Sequence, residues 1–381
     1  MRQDGLTGDS CSAPGLEPPA LVNSGQLEQA VGASMRKLFL RLGLFAFVTI
    51  LLVLSLEGGA NLWAKWQVAA QPPAVREALH CEYDPELGWR HIANKHVPDL
   101  YGVGLGLRTN GQHMRGARDL NFKDTEGKYR ILCLGDSYTM GYGVADDETY
   151  PAFLAQQHAS VETVNMGLGG YGIDQCYLWH QRDGRKFDVD VLLFAFITGD
   201  FFRMNPDGNV ADIPKPILDL VDGNPVAMNI PVMNILEPGF GTKLTRLWQT
   251  SALAGLLPTT LAAPAMSSAA VGQERFAPIA LRIFEILRDQ SRQRGQVFVL
   301  ALLPVEGEVH QARLEIIDGW LRPALEQRGI AFLDLRPAFQ ALLKSELAEH
   351  FTVGHYSKRG NLVAARALID GIRALDPKCP R

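Results

Sequence analysis

Five short strand-like runs, all but the second almost unbroken in apolar residues, constrain this chain more than anything else in it: 131–134, 162–166, 189–197, 296–303 and 330–335. A strand with one face in water alternates apolar and polar residues, whereas a parallel strand covered on both faces reads as a continuous apolar run. Gly, Asp or Pro bounds these runs. Between them lie helical patterns at 149–158, 173–181, 276–294 and 311–328, with a last one at 361–375. In the pattern 276–294, Ile279, Ile283, Ile286 and Leu287 share one face, with Arg and Asp opposite. Strands alternating with helices predict an α/β fold, a three-layer α/β/α sandwich around a parallel sheet.

Composition bounds the partners. With 47% apolar and 20% charged residues in 381, the chain reads as an ordinary folded protein able to bury a large core. A net charge of −4 gives no reason to expect nucleic acid. The five cysteines (Cys11, Cys81, Cys133, Cys176 and Cys379) show no CxxC or His-rich metal spacing. Cys133, inside an apolar run, reads as core filler.

A different signal stands near the N-terminus. No side chain from Leu42 to Leu56 is charged, and Leu38-Phe39-Leu40 extends the run with Arg41 alone interrupting. A helix of this length approaches the roughly 30 Å of a hydrocarbon core. Arg36, Lys37 and Arg41 precede it and Glu57 follows, so the positive-inside bias puts the N-terminal side in the cytoplasm and the rest outside it. Trp63 and Trp66 stand where an interfacial aromatic anchor belongs. The competing readings are a buried core helix and a cleaved signal peptide starting at Met35-Arg36-Lys37. The flanks suggest no amphipathic partner face, and no clear A-x-A cleavage site follows. The expectation is a disordered tail at 1–34, a transmembrane anchor at 35–57, and a juxtamembrane and irregular lead-in at 58–128. The α/β domain then covers 129–381. Within it, 203–272 breaks the alternation with many Pro, Gly, Asn and Ala residues, and reads as an insertion that caps the site or binds a partner.

The stretch Gly135-Asp136-Ser137-Tyr138-Thr139-Met140-Gly141 follows the first apolar run directly. In a parallel sheet, ligands meet the protein at the carboxyl ends of strands, so topology alone places Ser137 there. A nucleophilic serine needs a base in reach and donors for the oxyanion. His355, just before the last helix, is the candidate base. The glycines of Asn165-Met166-Gly167-Leu168-Gly169-Gly170-Tyr171-Gly172 let backbone N–H groups approach a bound oxygen, with the Ser137 amide as a second donor. Asp136 either holds the turn through backbone N–H groups or joins the proton chemistry. Arg203 either meets an acidic substrate group or sits in a salt bridge.

These blocks resemble the SGNH (GDSL-like) hydrolase superfamily over about residues 83–375. Gly135 to Gly141 is similar to its first block, with Ser137 in the nucleophile place. Asn165 to Gly172 is similar to the second, with Gly170 matching the oxyanion glycine, and His355 with Ser357 and Gly360 resembles the last. Asp84-Pro85-Glu86-Leu87-Gly88-Trp89 and Gly141-Tyr142-Gly143-Val144 resemble a bacterial, often membrane-anchored branch associated with cell-envelope and polysaccharide contexts. The resemblance implies a flavodoxin-like sheet and a serine ester hydrolase or acyl transferase needing no cofactor or metal. Its implied substrate is an acylated carbohydrate or lipid-linked envelope molecule. Two residues depart from the pattern. Gly199, in Ile197-Thr198-Gly199-Asp200, stands where the family has its oxyanion asparagine, and Thr352 stands where the aspartate precedes the histidine. Threonine can at most accept a hydrogen bond. Asp200, ending the third strand, is the nearest carboxylate by topology to take over. The alternative is a catalytically degenerate member that binds a glycan or an envelope partner.

Overall fold

The computed structural model describes residues 24–69, 79–124, 126–205, 214–233 and 268–381. The expected tail at 1–23 and most of the insertion lie outside the described residues.

Two units follow from the chain's contacts, the first carrying the N-terminal helix and the second the α/β domain. Helix α1 (Ser24–Ala69) starts before the expected anchor, so residues 24–34, expected as tail, are helical. Its segment Ser34–Gly59 is the one helix among the described residues long and apolar enough to cross a membrane. At 1.5 Å per residue it spans about 39 Å. Its large apolar side chains, Leu38 to Leu56, are exposed along the whole run.

The second unit opens with the lead-in. Strands β1 (Cys81–Asp84) and β2 (Gly88–His91) form an antiparallel hairpin, and β3 (His96–Val97) pairs with β4 (Leu107–Arg108). The central sheet is β5 (Tyr129–Gly135), β6 (Val161–Gly167), β7 (Val191–Phe196), β10 (Val297–Leu302) and β11 (Ala331–Asp334), with a hairpin β8 (Leu218–Val221) and β9 (Asn224–Ala227) intervening in the chain. All the central pairs are parallel, in the order β6-β5-β7-β10-β11. Counted within the sheet this is 2-1-3-4-5, the flavodoxin-like order, whose switch point lies between the first and third strands.

Covered faces explain the continuous apolar runs. Successive side chains of β5 point to opposite faces. Leu132 and Leu134 join one core with Phe194, Phe196 and the helix α6 residues Ile279, Ile283 and Leu287; α6 is Ser268–Gln293. Ile131 and Cys133 join the other core with Phe153 of α3 (Tyr150–Gln156) and with Leu368 and Ile372. Burial raises the Cys133 thiol well above its ordinary range, as a core residue's should be. The described part of the insertion packs on the lead-in: Tyr83 Oη donates to Val232 O (2.5 Å), and Val232 N–H donates to Pro85 O (2.7 Å). These contacts brace the lead-in.

Candidate active site

The short helix α2 (Ser137–Met140) begins immediately past β5 because Asp136 caps it, accepting Tyr138 N–H at 2.8 Å. This places Ser137 at the switch point, almost fully buried. From the far end of the chain, β12 (Phe351–Thr352) and β13 (His355–Tyr356) form a two-residue hairpin just before the last helix, Lys358–Leu375. The hairpin brings His355 Nε2 to 2.8 Å from Ser137 Oγ. The expected serine–histidine pair is in hydrogen-bond contact across 218 residues of sequence.

The group behind the imidazole was not expected. His355 Nδ1 lies 3.0 Å from the backbone oxygen of Val353. A carbonyl only accepts, so Nδ1 carries the proton and Nε2 offers its lone pair to Ser137. That is the tautomer general-base chemistry needs, which an aspartate otherwise fixes. Thr352 pairs with His355 in the strand register. The oxygen is aimed by the turn: Val353 (φ 47°) and Gly354 (φ 73°) both take left-handed backbone, as a two-residue hairpin of this kind requires. Valine is an unusual residue for such a position, where Asn or Asp is at home.

Two tyrosines hold the ring. Tyr142 stacks on His355 at 4.6 Å between centroids and 26°, and Tyr138 lies 4.8 Å from it. Burial, helped by Asp136, keeps the Tyr138 phenol protonated by raising its pKa, and it donates to Gly354 O at 2.7 Å. An imidazole that gains a proton between aromatic faces is drawn to their π clouds.

The carboxylates take other posts. Asp200 does not back His355: its Oδ1 accepts from Arg203 Nη1 (2.5 Å) and its Oδ2 from Ile197 N–H (3.1 Å). The same guanidinium nitrogen donates to Asp136 Oδ2 at 2.9 Å, so Arg203 is salt-bridged beneath the nucleophile loop. The topology that puts Asp200 at the end of β7 points it into this cluster. One cation cannot neutralise two buried acids, and burial followed by repulsion from Asp136 raises the Asp200 carboxyl well above the usual range. Asp136 thus holds the turn and the cluster.

Gly170 sits in a turn in which Tyr171 N–H donates to Leu168 O (3.3 Å), and its φ of 78° is natural only to glycine. The turn is tied to the end of β5 by Leu168 N–H to Gly135 O, 3.2 Å, two residues before Ser137. Trp89 of the lead-in clamps it by donating Nε1–H to Gly169 O at 3.0 Å, and Tyr171 Oη donates to Trp89 O in return. Gly199, at the missing asparagine, begins the short helix α5 (Gly199–Phe202), the next after α4 (Ile173–Arg182), and its neighbour Thr198 donates its hydroxyl to Glu308. Position 199 therefore offers no side-chain donor.

Arg115 was also not foreseen. Fully buried, it donates to Met140 O (2.9 Å), Gly141 O (2.5 Å) and Val144 O (2.7 Å) and pairs with Asp146 at 2.9 Å. It gathers the carbonyls that end the nucleophile loop. No local motif marks it, because these partners lie 25–31 residues away. Trp89 had a signal, the lead-in motif it closes.

A serine and histidine joined at the switch point of a flavodoxin-order sheet define the class, a GDSL-type hydrolase fold. Residues 133–363 match the GDSL-like lipase/acylhydrolase family, more than half of the chain, and the chain belongs to that family. Similar solved structures include a catalytic mutant of an acetylxylan esterase from Geobacillus stearothermophilus, at 14% identity and TM-score 0.38, covering 65% of this chain and 95% of that one. A member of the lipolytic G-D-S-L family from Veillonella parvula is 12% identical with TM-score 0.34, covering 63% and 96%. An α/β hydrolase from the metagenome of Lake Arreo is 13% identical with TM-score 0.37, covering 65% and 96%. No curated protein matches the chain.

Proposed function

We propose that this chain is a membrane-anchored serine ester hydrolase or acyl transferase, with Ser137 as nucleophile and His355 as its base. The observation that carries the reading is the 2.8 Å contact between Ser137 Oγ and His355 Nε2, with Nδ1 committed to a carbonyl. Ser137 Oγ attacks the acyl carbonyl while Nε2 takes its proton. The amides of Ser137 and Gly170 receive the oxyanion. Nε2–H then protonates the departing alkoxide, leaving an acyl-serine that water or a second hydroxyl relieves in a mirrored step. Asp136, Asp200 and Arg203 position the loop, and Thr352 serves the hairpin.

The substrate class, an O-acylated carbohydrate or lipid-linked envelope molecule, is supported by the resemblance of the lead-in and loop motifs and by the apolar helix α1. The positive residues before that helix favour an extracytoplasmic domain. The test is turnover of p-nitrophenyl acetate together with labelling by a fluorophosphonate probe. Wild-type protein should do both, and Ser137→Ala neither. Equal turnover in the two, or no labelling of a folded wild type, would refute the reading and leave the catalytically degenerate binder.

A further inference from the structure

A second cluster of chemistry-bearing side chains stands at the start of the domain. The register of β1 and β2 sets Cys81 directly opposite His91. His80 comes immediately before β1, and both histidines are buried. His80 Nδ1 and His91 Nδ1 are 3.3 Å apart, and Cys81 Sγ is 3.3 Å from His80 Nδ1. The three ligand atoms all lie within 4.8 Å of one another. Spacing in the sequence hides the group, because a cross-strand pair and an adjacent residue build it.

The two 3.3 Å separations suit ligands of one ion. Tetrahedral bonds of ~2.0–2.1 Å to nitrogen and ~2.3 Å to sulfur put two nitrogens about 3.3 Å apart and a nitrogen and sulfur about 3.5 Å apart. We propose that His80 Nδ1, Cys81 Sγ and His91 Nδ1 bind a zinc-class divalent cation, with a fourth position for water or another ligand. Imidazole and thiolate select such borderline-soft ions over magnesium or calcium. Binding releases the thiol proton of Cys81 to solvent, since the thiolate is the ligand.

The ion's place in the fold gives it work. A four-residue hairpin such as β1–β2 is marginal by itself. Two residues before His91 in β2, Trp89 holds the Gly169 carbonyl beside the proposed oxyanion amide. The ion would staple the strand that carries this clamp.

The test uses the full chain in detergent, stripped with a chelator and titrated with cobalt(II) alone, then with zinc. One cobalt per chain should give a thiolate-to-cobalt band in the near ultraviolet, which zinc bleaches. Cys81→Ser, a one-atom change, should abolish the band and weaken zinc binding roughly tenfold or more. His96→Ala, an exposed histidine of the same segment, should keep both. Circular dichroism like the wild type's shows that the serine variant is folded; if it is not, His91→Gln carries the same comparison. Absence of the band in wild type, or its persistence in folded Cys81→Ser, would overturn the site. A hydrogen-bonded trio without metal gives the first of these results. Neither touches the Ser137 reading, which fluorophosphonate labelling reports separately.

Discussion

Exchanging Thr352 for alanine asks what orients the imidazole. If the Val353 carbonyl does, Thr352→Ala should lower kcat/KM less than about tenfold, which is 1.4 kcal/mol. Tyr142→Leu should cost more in kcat than in KM, since the stack acts when the ring becomes charged. A cation–π contact of ~0.5–2 kcal/mol converts to about two- to thirtyfold. Steady-state kinetics on the two variants decide, and a Thr352 effect larger than that of Tyr142 would restore a direct role for the threonine. The pairing of Ser137 with His355 was legible because each stands in a block whose chemistry fixes the residue type. The Val353 oxygen was not, since every residue has one. Asp200 was placed at the right strand end and given the wrong neighbour: order along the chain does not say which way a side chain leaves the strand.

At the scale of elements, the nucleophile loop is held from two sides. Arg115 closes it through three carbonyls and Asp146. Arg115→Lys keeps the charge but loses the fork, so it should destabilise the domain by about 3–5 kcal/mol and lower turnover, measured by denaturant unfolding and kcat. On the other side, Asp136, Arg203 and Asp200 join the loops after β5 and β7. A carboxyl raised in the fold adds stability below its unfolded pKa and loses it as pH rises through the folded one. Wild-type stability should therefore carry a component that declines from acid toward neutral pH. Asp200→Asn, neutral throughout, should flatten that decline in thermal melts, and an unchanged slope would speak against a raised Asp200 carboxyl. The inner strands β5, β7 and β10 were readable because burial on both faces erases polar alternation. The bracing of the lead-in by Val232, just past the hairpin β8–β9, was not, because 203–272 has no period to read.

For the whole molecule, the testable feature is the exposed apolar face of α1. The protein should stay with membranes through an alkaline carbonate wash. A reporter fused after Arg381 should be active only when the fusion point is outside the cytoplasm; cytoplasmic activity would reverse the topology. The apolar length of this helix was plain in the sequence, and its extension back to Ser24 was not, because polar residues there carry no hydropathic signal.

The Val353 carbonyl has a genetic consequence. Its oxygen belongs to the main chain, so any codon change at 353 that leaves the hairpin intact leaves the acceptor in place. What is inherited at this point is a shape, and a comparison of letters would record the position as silent.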